Sequence, residues 1–147
     1  MNENVMTQQF KNPTDDELKQ LLTESRQLAI VGLSPKANRP SFFVAKQMQD
    51  FGYNIIPVRP AIESVLGHKA YARLQDVPDK IDIVAVFRAA DKVDEVVDGC
   101  IDSKAPVMWL QEGIVNEDAA RRAQDAGITV VMDQCIYKVY KRLGLDA

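Results

Sequence analysis

The 147-residue sequence predicts an α/β protein, an open parallel sheet of five to six strands with helices on both faces. Three observations carry this. Short apolar runs alternate with amphipathic helical patterns from residue 28 to the end, as successive β-α-β units require. The first run, residues 28–33, is apolar almost throughout, as a strand covered on both faces must be. It then turns at Gly32, passes Lys36 and Arg39, and reaches Ser41 at the head of a helical pattern. Strand, turn and helix N-terminus in that order make a Rossmann-like unit that can hold an anion.

The elements follow in order. Residues 1–12 are polar and are expected to be mobile or loosely docked. Thr14 and Glu17 form a capping box for a first helix, with Leu18, Leu21 and Leu22 as its apolar stripe. After the 28–33 strand, residues 41–51 read as a helix with Phe42, Val44, Ala45, Met48 and Phe51 on its apolar side, and Gly52 as its C′ residue. Residues 53–58 form the second strand, stopped around Pro57 and Pro60. Residues 67–72 are expected to be a short edge strand, and residues 81–87 a central one. Residues 91–103 carry the clearest helical pattern, in Val93, Val96, Val97, Cys100 and Ile101, with Asp91 as its cap. A strand follows at 106–110, then a helix capped by Asn116 with Ala119, Ala120 and Ala123 on its buried side. A strand at 128–132 and a closing helix at 135–143 complete the chain. The expected strand order is 3-2-1-4-5-6, with the segment near residue 70 as the third.

The totals exclude several classes. One domain over residues 1–147 is the simplest division, and that length supports a full core. A net charge of −3 argues against a general nucleic-acid binder. Two cysteines, Cys100 and Cys135, make no disulfide framework, so a reduced cytoplasmic protein is expected. There is no secretory signal pattern, and no apolar run long enough to span a membrane. One histidine, His68, and no clustered cysteines make a metal site improbable.

In an open parallel sheet, ligands bind beyond the carboxyl ends of the strands, at the switch point next to the first. That rule selects residues 34–41, 57–60, 87–90, 111–116 and 133–136. In the first segment, backbone N–H groups near Ser34 and Ser41 are expected to face outward, with Lys36 and Arg39 adding charge. The turn departs from the dinucleotide fingerprint because Gly32 is its only glycine. The end of the second strand discriminates further. An NAD site places an acid there for the ribose hydroxyls, and this chain has Arg59. Arginine suits a phosphorylated ribose, as in NADP or coenzyme A. Elsewhere the rim is poor in catalytic groups. Glu112 and Asp133 are more simply capping or loop hydrogen-bonding residues than an acid–base pair, and Cys100 belongs to a buried stripe. Cys135, just past the last strand, is placed where it can face a ligand.

At these residues the sequence resembles the small stand-alone CoA-binding domain proteins. Those are similar to the N-terminal domain of the succinyl-CoA synthetase alpha subunit. The resemblance rests on Ile30-Val-Gly-Leu-Ser-Pro-Lys-Ala-Asn-Arg-Pro-Ser, Gly52-Tyr-Asn-Ile-Ile-Pro-Val-Arg-Pro, Ile81-Asp-Ile-Val-Ala-Val-Phe-Arg, Val107-Met-Trp-Leu-Gln-Glu-Gly and Val131-Met-Asp-Gln-Cys, in the family's order. It implies that Gly32, Ser34, Lys36 and Arg39 surround the CoA phosphates. Pro57, Val58, Arg59 and Pro60 would frame the adenine and phosphorylated ribose, and Phe87 and Arg88 the middle of the ligand. Glu112, Gly113 and Cys135 would lie towards the pantetheine arm. Arg59 stands where the family often has Asn or a small residue, and Ile136 where many relatives have proline. The expected function is a non-catalytic module that binds or senses CoA or acyl-CoA, with any protein partner unspecified. The synthetases' ligase reaction is not expected without their other domains. The alternatives are an NADP-dependent oxidoreductase and a redox protein acting through Cys135.

Overall fold

The first helix, α1 (Asp15–Glu24), starts where its capping box places it. Thr14 Oγ1 accepts from the Glu17 N–H at 3.2 Å, and Glu17 Oε1 accepts from the Thr14 N–H at 2.8 Å. This architecture is that of a computed structural model, which describes residues 9–147. The expected mobility of residues 1–8 lies outside the described residues. Of the adjoining segment, Asn12 is docked. Its side-chain amide donates to Met132 O at 3.0 Å and accepts from the Met132 N–H at 2.7 Å, pairing with the chain as an edge strand would.

The chain continues through β1 (Gln27–Val31), α2 (Pro40–Asp50), β2 (Asn54–Val58), a two-residue pair β3 (Ser64–Val65) and β4 (His68–Lys69), and β5 (Ile83–Val86). It ends with α3 (Val93–Asp102), β6 (Val107–Leu110), α4 (Glu117–Asp125), β7 (Thr129–Val131) and α5 (Ile136–Arg142). The main sheet has the order β2-β1-β5-β6-β7, and every pairing in it is parallel. The chain leaves β1 for β2 on one side and returns to β5 on the other. The carboxyl end of β1 is therefore the switch point.

The six-stranded order expected from sequence is corrected here to five. Leu66 and Gly67, at φ 54° and 80°, turn the chain back sharply. Ser64–Val65 consequently pairs antiparallel with His68–Lys69 rather than with the main sheet. Ladder pairing with β2 comes from Tyr71, through one parallel bridge to Val58. The Arg59 N–H donates to Tyr71 O at 2.7 Å, and the Tyr71 N–H donates to Pro57 O at 2.9 Å. Pro57 does not stop β2 but sits inside it. Its carbonyl faces the outer edge, so its missing N–H falls where no main-sheet neighbour needs it.

Strand alternation divides the core into two layers. Ala29, Val31, Ile56, Val58, Val84, Val86, Met108 and Leu110 pack on the face covered by α3 and α4. Leu28, Ile30, Ile55, Ile83, Ala85 and Trp109 pack on the face covered by α1, α2 and α5. On α4, Ala119, Ala120 and Ala123 are fully buried, so small side chains let this helix lie close. Asn116 caps it as expected, accepting from the Ala119 N–H at 3.0 Å.

Two helix starts differ from the sequence expectation. Asp91 does not cap α3. It lies in a 3-10 turn, Ala90–Lys92, that leads into the helix, and the cap position is Lys92 with no side-chain bond. The end of that helix's stripe also differs, because Ile101 is exposed. Helix α2 begins at Pro40, whose fixed φ and missing N–H suit the first helical position.

Candidate functional site

The β1–α2 turn is stitched by its own serines. The Ser34 N–H donates to Ser41 Oγ at 2.9 Å, and the Lys36 N–H donates to Ser34 Oγ at 3.1 Å. Both hydroxyls are buried in this role. The outward N–H groups expected at Ser34 are therefore already used inside the turn. Among the described residues, the N–H groups of Ala37, Asn38 and Ser41 keep no acceptor, and they are the turn's donors for an anion.

Gly32 holds the turn against the sheet. Its N–H donates to Val58 O at 2.9 Å, and its φ is 86°. A Cβ built there would lie 2.5 Å from Phe87 O. Three chain segments thus converge at one backbone point: the ends of β1, β2 and β5.

Two adjoining grooves open at this point. The larger, about 710 Å³, is lined by Gly32, Val58, Arg59, Pro60, Phe87 and Arg88, with Ala72–Gln75 on one wall and Glu95, Val96, Asp98 and Gly99 of α3 on the other. The smaller, about 430 Å³, is lined by the turn itself, from Ser34 through Lys36, Arg39 and Ser41, and by Gly32, Arg59 and Phe87. Gly32, Arg59 and Phe87 border both.

Several positive charges gather at these grooves. Lys46, Arg73, Arg121, Arg122, Lys138, Lys141 and Arg142 each have an acidic partner within 4.0 Å. Among the described residues the other eleven lysines and arginines have none, and four of these, Lys36, Arg39, Arg59 and Arg88, border the two grooves. Arg59 and Arg88 are half-buried at the groove floor, and Lys36 and Arg39 are exposed at its lip. A cluster of unpaired cations on a chain of net charge −3 is a place for an anionic ligand.

The remaining predicted residues lie apart from the grooves. Pro57 is buried in β2, and neither groove is lined by Glu112, Gly113 or Cys135. Glu112 Oε1 pairs with Lys138 Nζ at 2.9 Å, and this hydrogen bond holds the ammonium above the usual lysine range. Asp133 accepts from the Gly113 N–H at 2.6 Å. The two carboxylates thus have the loop-ordering roles that were the simpler reading. The loops after β6 and β7 are also tied through Gln111, whose buried amide oxygen accepts from the Ile136 N–H at 3.2 Å. His68 bonds Gln49 across to α2 and lines neither groove.

Sequence reading missed the walls of the larger groove. Residues 72–75 follow an irregular stretch with no periodic signal, and Glu95 and Asp98 lie off the apolar stripe that the sequence shows for α3.

The two thiols occupy opposite environments. Cys100 is fully buried in α3, and burial pushes its thiol up to about 12. Cys135 is half-buried at the start of α5. Iodoacetamide is expected to label only Cys135 in the folded protein, and both cysteines once the chain is unfolded. Peptide mass spectrometry reads this directly, and equal native labelling of Cys100 would contradict the packing of α3.

Comparison with known proteins adds the following. The family model described as CoA binding domain matches residues 26–141. The uncharacterized protein YneT of Bacillus subtilis (strain 168) is 44% identical over 127 residues, covering 86% of this chain and 94% of that protein. An ADP-forming acetate–CoA ligase of Methanocaldococcus jannaschii is 29% identical over 86 residues, covering 58% of this chain but only 12% of the enzyme. A solved structure of a hypothetical protein from Pyrococcus horikoshii OT3 superposes with a TM-score of 0.87 at 34% identity, covering 93% of this chain and 99% of that one. No described helix is long and apolar enough to cross a membrane.

Proposed function

The chain belongs to the CoA-binding domain family, and on that premise we propose that it binds coenzyme A or an acyl-CoA as a non-catalytic binding or sensing module. The observation that carries this is the set of four unpaired cations around two grooves that share Gly32, Arg59 and Phe87. CoA has two anionic centres, a diphosphate and a ribose phosphate. The smaller groove, with Ser34, Lys36 and Arg39, suits the diphosphate. The larger, with Val58, Arg59, Pro60 and Arg88, suits the adenine and its phosphorylated ribose. Phe87 stands between them with a half-buried aromatic face. Glu112, Gly113 and Cys135, outside both grooves, are assigned to the pantetheine arm by family position. The two free thiols fit a reducing compartment such as the cytoplasm.

Titration calorimetry tests the reading. CoA is expected to bind saturably, one per chain, with affinity falling as salt rises because the contacts are charged. No heat at millimolar CoA would overturn the proposal. NADP also carries a phosphorylated ribose and suits Arg59 equally well. A thermal shift with NADPH and none with CoA would make the nicotinamide reading the better one.

A further inference from the structure

We propose that Arg73 is a second arginine for the ligand's ribose phosphate, acting with Arg59 across the larger groove. This rests on the CoA reading above and adds a specificity-determining residue to it. Both arginines line that groove together with Arg88. Their backbones are tied to each other. The Arg59 N–H and Pro57 O both bond Tyr71, which sets Val58 and Tyr71 side by side in parallel register. Tyr71 packs with Val58 on the α3 face of the sheet, and Arg73, two residues further on, lines the groove beside Glu95 and Val96 of α3.

The base of this arm is rigid. Leu74, the next residue, is buried at 4% exposure and seats in the space left by Gly99 of α3. A Cβ at Gly99 would come within 2.9 Å of Leu74, so the helix carries its glycine where the Arg73 segment docks.

The charge balance of the groove favours a dianion. Arg59, Arg73 and Arg88 face Glu95 and Asp98, and Asp98 is already held by Arg122 at 2.8 Å. Among the described residues, the acidic partner of Arg73 is Asp76 at 3.2 Å, in a pair whose side chains are 67% and 42% exposed. Such a pair contributes little, so the guanidinium leaves it readily for a phosphate that offers two acceptors in its plane. The chemistry recognised is a phosphomonoester on a ribose hydroxyl, which in CoA is the 3′-phosphate.

The test is titration of CoA and dephospho-CoA into the wild-type protein and Arg73→Gln. The substituted side chain is exposed, and an unchanged melting temperature confirms an intact fold. The expected result is about tenfold weaker CoA binding with dephospho-CoA unchanged. Equal losses for both ligands, or no loss for either, would overturn the assignment of Arg73. A wild-type protein that binds neither ligand would instead remove the CoA reading itself, and the two failures are thereby distinguished.

Discussion

Replacing Gly32 with alanine is expected to destabilise the protein by about 3 kcal/mol and to weaken CoA binding in the fraction that remains folded. Two effects add. The first is conformational: at φ 86° an alanine adopts a left-handed backbone, which costs about 1–2 kcal/mol. The second is steric, because the new methyl would lie 2.5 Å from Phe87 O and 3.1 Å from its carbonyl carbon. Neither backbone can yield easily. The Gly32 N–H is bonded to Val58 O at 2.9 Å, and the Phe87 N–H to Val31 O at 2.8 Å, so both are pinned by the sheet they terminate. Overpacking of that kind adds roughly 1–3 kcal/mol. Gly127→Ala separates the two terms. Gly127 has nearly the same φ, 88°, and nothing within 4 Å of a built Cβ. Only the conformational part applies there, so about 1 kcal/mol is expected. Urea unfolding of the two variants measures both. Equal losses would mean that the close approach of β5 to the turn has no energetic weight.

The same comparison explains what was legible in the sequence and what was not. Gly32 stood out because a lone glycine after an apolar run demands a reason, and the strand–turn–helix pattern supplied one. Arg59 was legible because the sheet rule fixes where the second strand must end, and its chemistry there is unlike an acid's. Among the described residues, the strands β1, β2, β5, β6 and β7 announced themselves as short apolar runs and the five helices by their periodicity, with the caps of α1 and α4 read correctly. The failures have physical causes of other kinds. β3 and β4 are two residues each, too short for any period, and their antiparallel pairing depends on the positive φ of Leu66, which composition does not signal. The serine hydroxyls of the turn bond backward into the turn, because Ser34 and Ser41 are brought together across seven residues. The groove walls at Arg73 and Glu95 come from segments whose only common property is a place in space.

Arg59→Ala is expected to weaken CoA by roughly 10- to 150-fold while changing dephospho-CoA binding by less than threefold. Arg59 is half-buried, has no acidic partner among the described residues, and borders both grooves. A hydrogen-bonded charge removed from such a place costs about 1.5–3 kcal/mol when its partner is charged. The fold should survive the substitution. Arg59 contributes its backbone N–H to Tyr71 O, and alanine keeps that bond. The contrast between the two ligands is what locates the phosphate. If Arg59 served only the diphosphate, reached from the smaller groove, both ligands would weaken alike. Arg59 then would stand with Lys36 and Arg39, and the phosphorylated ribose would need another anchor. If Arg59 and Arg73 hold the same phosphate, their effects should not add, because losing either arm lets the phosphate move away from the position in which the other holds it. The double variant should then bind CoA less weakly than the product of the two single losses predicts. Simple additivity would place the two arginines on separate groups of the ligand, and the shared groove would be a shared surface rather than a shared contact.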